Sequence, residues 1–449
     1  MQKQRPFSSS RRRFLQTSAG AAGSLNILSG FVQGQGTAAN GKLNMAFVGA
    51  GGRANANISG CDKAGQNIYA LCDVDHSRAG GSFKKYPNAK VYTDWREMLE
   101  KEGDKIDAVV VSTPDHLHAV SAMAALKMGK HVYVEKPLTL SISEARALHA
   151  EAKKQGVCTQ MGNTGHAAEG ARLTNEYIRS GSIGEISKIY CRTDRPIWPQ
   201  DILRPRGEPA PKTLDWNLWL GPAADKPYSP QIAPFKWRGF LDYGTGALGD
   251  MGAHIIDHPV WALGLGLPSK IRVEKADRNT PGAEKDTHPL SCIIHYEFAA
   301  TDSRGPIEIE WRDGKYEIPR PEGTRGDKEM PKNGCLYLGS EHNLMHGSHG
   351  GKPEIIDAAH GKFQAPAKTE ERSPGHYVEW VGAIQQGDPS RAKSNFDVAA
   401  PLTETLLLGV IGSVLGEGTE LTWDAEAMTT GNAEADKWVQ HSYRDGWSL

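Results

Sequence analysis

The sequence predicts an α/β protein: a doubly wound parallel sheet first, then an α+β domain with an open, mostly antiparallel sheet. Three observations carry this. A glycine-rich turn, Gly49-Ala50-Gly51-Gly52-Arg53-Ala54, leaves the apolar run at 43–48 and opens a helix. Up to about residue 161, short apolar runs alternate with amphipathic ones, the strand, helix, strand pattern of a parallel sheet. Beyond 161 that alternation stops and β-rich stretches take over.

In the first part, strands are predicted at 43–48, 67–72, 90–91, 108–112, 131–134 and 158–161, with helices at 95–101, 116–128 and 142–154. Gly129 and Gly156 each close a helical pattern, where a left-handed residue is wanted. In the second part, a helix at 169–180 precedes a strand at 186–192. A Pro/Trp-rich segment without periodicity then runs from 196 to 239, too long for an ordinary connection in a compact domain. A helix at 247–263, strands within 271–311 and 335–344, and helices at 376–386 and 399–415 complete the pattern.

The 449 residues suffice for two or three domains. A net charge of −1 implies no basic face, so nucleic acid is not an expected partner. The six cysteines have no C-x-x-C spacing, and Cys72 and Cys191 fall inside strands. They read as small core residues rather than a disulfide framework or zinc site.

The start of the chain stands apart. Ser10-Arg11-Arg12-Arg13-Phe14-Leu15-Gln16 resembles a twin-arginine export signal, and an Ala/Gly/Leu segment follows at 17–32. That segment is too short and glycine-rich to span a bilayer stably, and no lipoprotein cysteine follows it, so no membrane anchor is expected. The apolar run at 402–415 is broken by Glu404 and Gly409. The expected division is an export signal and linker at 1–40, a nucleotide-binding domain at 41–165 and a substrate-binding domain at 166–449.

The glycine turn has a chemical reading. Gly49 permits the tight turn, Gly51 lets a pyrophosphate approach the backbone, and Ala54 lets the helix press on its strand. Gly52 and Arg53 belong to the same turn, whose free N–H groups face the phosphates. The next strand ends in Asp73, 24 residues after Gly49, where a carboxylate can take both ribose hydroxyls. Together these predict a Rossmann dinucleotide site. The charge of Asp73 favours NAD, while Arg53 and Arg78 leave NADP open.

Three further motifs follow. Thr113 and Pro114, at a strand's carboxyl end, pass under the nicotinamide half, and His118 begins the next helix as a capping or packing residue. Glu135-Lys136-Pro137 ends another strand and fixes a lysine where it can hold or donate a proton at a substrate hydroxyl. Asp250, His254 and Asp257 are spaced to share one helix face, where acids would raise the histidine's basicity and fix its tautomer. A metal reading of that set lacks a fourth ligand at matching spacing. His342, His346 and His349 read as an exposed glycine-rich loop rather than a metal site.

In this order the motifs resemble the Gfo/Idh/MocA oxidoreductase family, over most of the chain from Leu43 onward. The resemblance implies a Rossmann domain, then an α/β domain whose open sheet often mediates homo-oligomers. It implies hydride transfer between NAD(P) and a hydroxyl carbon of a sugar, inositol or related compound. It assigns catalysis to Lys136, Asp250 and His254, and a cis bond at Lys136–Pro137. It places Asn163 and His166 where the chain enters the substrate cleft. Trp237, Arg238 and Tyr243 either meet a sugar ring or pack as core and lid. The long 196–239 segment departs from the family pattern and leaves the substrate open.

Three functions are therefore distinguished. One is an exported dehydrogenase of sugars, glycosides or polyols that keeps its cofactor, because no free pool is expected outside. The second is a redox-neutral glycosidase or lyase acting through a transient keto-sugar. The third is a binding module without turnover, which would need no base.

Overall fold

The computed structural model describes residues 41–357 and 363–449; the twin-arginine segment lies outside the described residues. The first sheet holds β1 (Asn44–Val48), β2 (Asn67–Cys72), β3 (Lys90–Tyr92), β4 (Ala108–Val111), β5 (His131–Val134) and β6 (Thr159–Met161). Its order is β3-β2-β1-β4-β5-β6, with every pairing parallel. The connecting helices are α1 (Ala54–Lys63), α2 (His76–Lys85), α3 (Trp95–Glu102), α4 (His118–Lys127) and α5 (Ile142–Gln155).

Alternation along β1 explains the layering. Met45 and Phe47 face one helix layer with Ile58 and Cys61, while Ala46 and Val48 face the other with Met98 and Ala122. Both faces are covered, so the strands are apolar throughout. Full burial of Phe47 contributes about 1.5–3 kcal/mol relative to exposure. Helix α5 shows how local sequence sets an end: Ser141 and Glu144 form a reciprocal capping box, and Gly156 closes the helix at φ 64°.

Next come α6 (Glu169–Arg179), β7 (Ile186–Arg192), the short α7 (Trp216–Leu220), α8 (Gly246–Gly252) and α9 (Asp257–Leu263). The strands β8 (Lys270–Asp277), β9 (Ser291–Phe298), β10 (Ile307–Arg312), β11 (Gly334–Gly339), β12 (Asn343–Gly347) and β13 (Glu354–Ile355) then precede α10 (His376–Gln386), α11 (Phe396–Leu415) and β14 (Glu420–Thr422). The second sheet runs β13-β12-β11-β7-β10-β9-β8-β14; only β7 and β10 pair in parallel.

The single helix expected at 247–263 is two. Helix α8 stops at Gly252, residues 253–256 form a turn with i→i−3 bonds (His254 N to Met251 O, 2.9 Å; Ile255 N to Gly252 O, 3.0 Å), and α9 starts afresh with Pro259 in its first turn. The Ile255 carbonyl, which Pro259 cannot reach with an N–H, accepts from His258 N and Cys335 Sγ, both at 3.3 Å. Asp257 therefore does not share a helix face with Asp250 and His254.

The chain's end returns to the first sheet. Trp380 of α10 is fully buried in the layer of Phe47, and its Nε1 donates to Cys158 O. Helix α11 is long and apolar enough to cross a membrane, but it is mostly buried inside the protein, against α5, α8 and β8. Its Glu404 is held by Arg146 (Nε 2.7 Å, Nη2 2.6 Å) and Trp423 Nε1 (2.8 Å). All six cysteines are buried thiols.

Candidate active site

The carboxyl ends of β1, β2, β4 and β5 open onto a cavity of about 690 Å³. Its first end is the glycine turn. Gly49 has φ 91°, and a Cβ there would lie 2.7 Å from Ser112 O. A Cβ on Gly51 would lie 2.8 Å from Arg78 Cγ and 2.9 Å from Arg78 O. Only glycine lets these backbones meet, and among the described residues the amides left bare for a phosphate are those of Gly52 and Arg53. Asp73 Oδ2 accepts from Ala50 N (2.8 Å) and Gly51 N (3.0 Å), and Oδ1 accepts from Asp75 N (2.9 Å). Burial pushes this carboxyl up, against those three amide bonds. Gly52, Arg53, Thr113 and Pro114 line the same cavity, and Ala54 packs beneath it, fully buried at the start of α1.

Glu135 ties the turn to β5. Its Oε1 accepts from Arg53 Nε (2.8 Å) and Asn57 Nδ2 (2.9 Å). Burial alone would raise its pKa, but the Arg53 guanidinium brings it below the ordinary value. Gly162 allows this, since a Cβ there would lie 2.7 Å from Glu135 Oε2.

The second end holds the reactive groups. The Lys136–Pro137 bond is cis. Lys136 Nζ donates to Asp250 Oδ1 and to Asp250 O, both at 2.7 Å. Arg238 Nε donates to the same Oδ1 at 3.1 Å, and its guanidinium lies 4.2 Å from the Trp237 ring centroid. Burial would raise the Asp250 pKa; the two cations lower it further than burial lifts it. His254 lines the cavity, and its Nδ1 has no partner among the described residues. Burial holds His254 well below the usual 6.5, and the Lys136 ammonium adds to this. The expectation that Asp250 raises the basicity of His254 is therefore corrected. The carboxylate is spent on two cations, and the imidazole is a buried neutral base.

His349 is the residue that sequence reasoning missed. As expected it is exposed, in a turn, but its ring also stacks on His254 (centroids 3.8 Å apart, planes at 23°) and lines the cavity. Its N donates to His254 O at 3.0 Å, and its backbone is left-handed at φ 59°. Gly165 leaves room for it, since a Cβ there would lie 2.5 Å from His349 Cα. The glycines around His349 were the only signal: a Gly-rich turn lets backbone pack on backbone. His346, expected in the same exposed loop, is buried instead, against the Tyr337 hydroxyl.

Five expected contacts lie behind the cavity wall instead. His118 is fully buried, with Nε2 at 3.0 Å from Thr113 O and Nδ1 at 2.9 Å from Pro137 O. It pins the two turns without lining the site. Asn163 is buried against Ser394; its neighbour Thr164 lines the cavity. His166 Nδ1 meets both oxygens of Asp257 (3.0 and 2.9 Å), and Trp261 stacks on its ring, so this pair is a buried structural unit. Tyr243 is core, its hydroxyl bonded by Arg204 Nη2 at 2.8 Å. Trp237 and Arg238 do line the cavity.

Among the described residues, one cluster has metal-like spacing: His295, Glu308 and Glu310 in the second sheet. Lys188 Nζ already lies 2.8 Å from Glu308 and 2.5 Å from Glu310, so a cation is in place.

The 196–239 segment closes over the cofactor end. Thr213 O accepts from His76 N (3.1 Å), and Asp215 N donates to Val74 O (2.9 Å), directly after Asp73. Further on, Phe235, Trp237 and Arg238 reach the Asp250 end.

Residues 43–163 match the Gfo/Idh/MocA model described as an oxidoreductase family, NAD-binding Rossmann fold. Residues 198–299 match the same family's C-terminal alpha/beta domain. The chain belongs to the Gfo/Idh/MocA oxidoreductase family. Its Rossmann domain binds NAD, and the bare turn amides, the close-packed glycines and Asp73 fit that cofactor. Curated relatives include the levoglucosan dehydrogenase of Pseudarthrobacter phenanthrenivorans, 28% identical over 43% of this chain and 42% of that protein. The alpha-N-acetylgalactosaminidase of Shewanella oneidensis is 31% identical over 32% of this chain and 33% of its own. The matches thus span less than half of either relative. Among solved structures, the WlbA dehydrogenase from Bordetella pertussis in complex with NADH and UDP-GlcNAcA has a TM-score of 0.59 at 16% identity, over 85% of this chain and 99% of that one. Levoglucosan dehydrogenase in complex with NADH has a TM-score of 0.55 at 16% identity, covering 83% and 97%. At such identities the likeness is one of fold.

Proposed function

We propose that this Gfo/Idh/MocA protein is an exported oxidoreductase that acts on a hydroxyl carbon of a sugar, glycoside or polyol and retains its NAD between turnovers. The observation that supports it best is the convergence, in the cavity of the glycine turn, of a fixed ammonium and an unpartnered neutral imidazole. Bound NAD supplies the hydride acceptor. Gly49, Gly51, Gly52 and Asp73 would hold its phosphates and ribose, and Thr113 and Pro114 would support its nicotinamide end.

The chain's own residues manage the proton. A hydroxyl oxygen needs electron density before its carbon can lose hydride. His254, neutral and lining the cavity, accepts that hydroxyl's proton. Lys136 donates a hydrogen bond to the same oxygen, oriented by Asp250, while Arg238 shares the Asp250 charge. The segment at 211–219 lies against Val74 and His76 and keeps the adenosine end from opening. That clasp supports retention, as does the twin-arginine segment, since that route carries proteins already folded.

A second reading has its own support. Redox-neutral cleavage of a glycoside needs a base for the C–H next to a transient ketone, besides the base at the hydroxyl. His349, stacked on His254, is available for it. The similarity to an alpha-N-acetylgalactosaminidase points the same way. Incubating the purified holoprotein with matched sugars and glycosides, then reading NADH absorbance and product mass, separates the readings. NADH that forms to one equivalent of the bound nucleotide, persists, and is discharged by a reducible keto-sugar marks a dehydrogenase, and cleaved glycoside without standing NADH marks the neutral cycle. Neither product, or a protein purified without nicotinamide nucleotide, overturns the proposal.

A further inference from the structure

We propose that the substrate end takes a sugar bearing an anionic group, a carboxylate or a sulfate, and that Arg195 binds that charge. The identity of the cavity rests on the hydride-transfer reading above; the charge argument rests on its walls. Arg195 lines the cavity, yet its guanidinium makes no hydrogen bond or ion pair among the described residues. Only its backbone is engaged, through Thr193 Oγ1 (3.3 Å) and Gly314 N (2.8 Å). At the substrate end the neighbouring Arg238 is partnered by Asp250, and Arg204 by Asp242; the other lining arginine without a side-chain partner among the described residues, Arg78, packs on the glycine turn at the cofactor end. A guanidinium presents a fork of donors that fits a carboxylate or sulfate, and nothing in the protein fills this one.

Its position is built rather than incidental. Arg195 follows the end of β7, Asn333 precedes β11, and Ser348 follows β12; these three strands are neighbours, with Gly334 opposite both Arg192 and Gly347. Asn333 knits the loops together. Its Oδ1 accepts from Thr193 Oγ1 (2.6 Å), its Nδ2 donates to Asp194 Oδ1 (3.0 Å), and its carbonyl accepts from Ser348 N (2.8 Å). The adjacent carboxylate of Asp194 is thus turned to Asn333 and forms no ion pair with Arg195. His349 lines the same cavity, its pKa lowered by burial and the Lys136 ammonium first and by Arg53 and Arg195 after them.

The charge count agrees. Lys136 and Arg238 share the ionised Asp250, and Arg195 adds a third cation to the lining. Of the other carboxyls near this end, Glu135 is paired with Arg53, and Asp115 is buried and raised to about 7. A neutral sugar would leave the excess positive charge uncompensated in a cavity with low-dielectric walls, where an anionic substituent is drawn in.

The test uses the holoprotein and pairs of nitrophenyl glycosides differing only in charge: glucuronide against glucoside, galacturonide against galactoside, 6-O-sulfated against unsulfated. The acidic member of at least one pair should show about a tenfold higher kcat/KM, and its KM should rise with added NaCl. Arg195→Met should cut the acidic-to-neutral ratio about tenfold or more through KM, and Arg195→Lys should restore part of it. The uronate and sulfate pairs tell which anion is meant. Turnover of neutral glycosides with no acidic preference overturns the subsite and leaves the hydride-transfer reading standing. Arg195→Met protein that loses bound NAD also overturns it, since the arginine then serves the cofactor. If no glycoside reacts, calorimetry with glucuronate decides. Binding that Arg195→Met abolishes supports the subsite while the hydride-transfer reading falls; absence of binding sinks both.

Discussion

The cofactor end of the cavity comes from one short stretch, Gly49 to Asp73, while the substrate end gathers Lys136, Arg195, Arg238, Asp250, His254 and His349 from both sheets. The first is held mainly by backbone. Asp73 bonds turn amides, and glycines are required because other backbone lies within a Cβ's reach. The second is held by side chains, through one carboxylate shared by two cations and one imidazole stacked on another. Backbone construction fixes a shape that serves any member of a nucleotide class. Side-chain construction can be rewritten residue by residue, and there a substrate is chosen.

Substitutions at the two ends should therefore fail differently. The largest effect is expected at Lys136→Ala, with turnover reduced on the order of 10²–10⁴-fold. Bound NAD, read by absorbance after denaturation, should remain. Unchanged turnover would remove Lys136 from the mechanism. At the other end, Gly51→Val places a side chain against Arg78 and over the turn amides. Its purified protein should carry about a tenth or less of the wild-type NAD, a loss of at least about 1.4 kcal/mol in cofactor binding. Full occupancy would contradict the backbone cradle.

His349→Ala sharpens the chemistry within the substrate end. On a glycoside it should slow cleavage about tenfold more than it slows oxidation of a free sugar. Equal slowing of both would leave His349 a packing residue. The pH profile separates the ends again. Because burial and Lys136 hold His254 below 6.5, kcat/KM should stay level as pH falls through 6.5 and decline only further down, where the base becomes protonated. An acid limb centred at or above 6.5 would exclude His254 as the base.

The smallest effect concerns the whole molecule. Buried neutral imidazoles hold His116 and His258 at about 3, and His131, His288 and His376 at about 4. In the unfolded chain each takes a proton near 6.5, so the stability they contribute is present above 6.5 and falls as pH drops toward 4. Two carboxyls raised to about 7, Asp115 and Asp313, work in the opposite direction. Five against two leaves a net loss of stability as pH falls. The Tm measured between pH 6.5 and 4.5 should fall steadily; a flat Tm would contradict it.

The first sheet was readable in detail because each strand is a short apolar run closed by a turn residue, and the expected ends of β2 and β5 are those found. The helix pattern at 247–263 misled because 3.6-residue spacing ran on through a turn at 253–256, after which α9 starts again with Pro259 in its first turn. That one break moved Asp257 from the expected catalytic face to a buried pair with His166. Tyr243 and Asn163 also lie behind the wall, although Thr164, next to Asn163, lines the cavity, as do Trp237 and Arg238 before Tyr243.

By itself the sequence determined the nucleotide turn, the strand order's raw material and the presence of a lysine, an acid and a histidine fit for proton transfer. These follow from local backbone need, such as a glycine where no Cβ fits, and from chemistry that a residue type carries anywhere. The tertiary structure alone decided which groups meet. It gave Asp250 to Lys136 and Arg238 rather than to His254, brought His349 across from β12, and left Arg195 without a partner. Such pairings join residues far apart along the chain, and burial in a shared cavity then sets their charge. Neither distance through space nor dielectric surroundings is written in the spacing of letters.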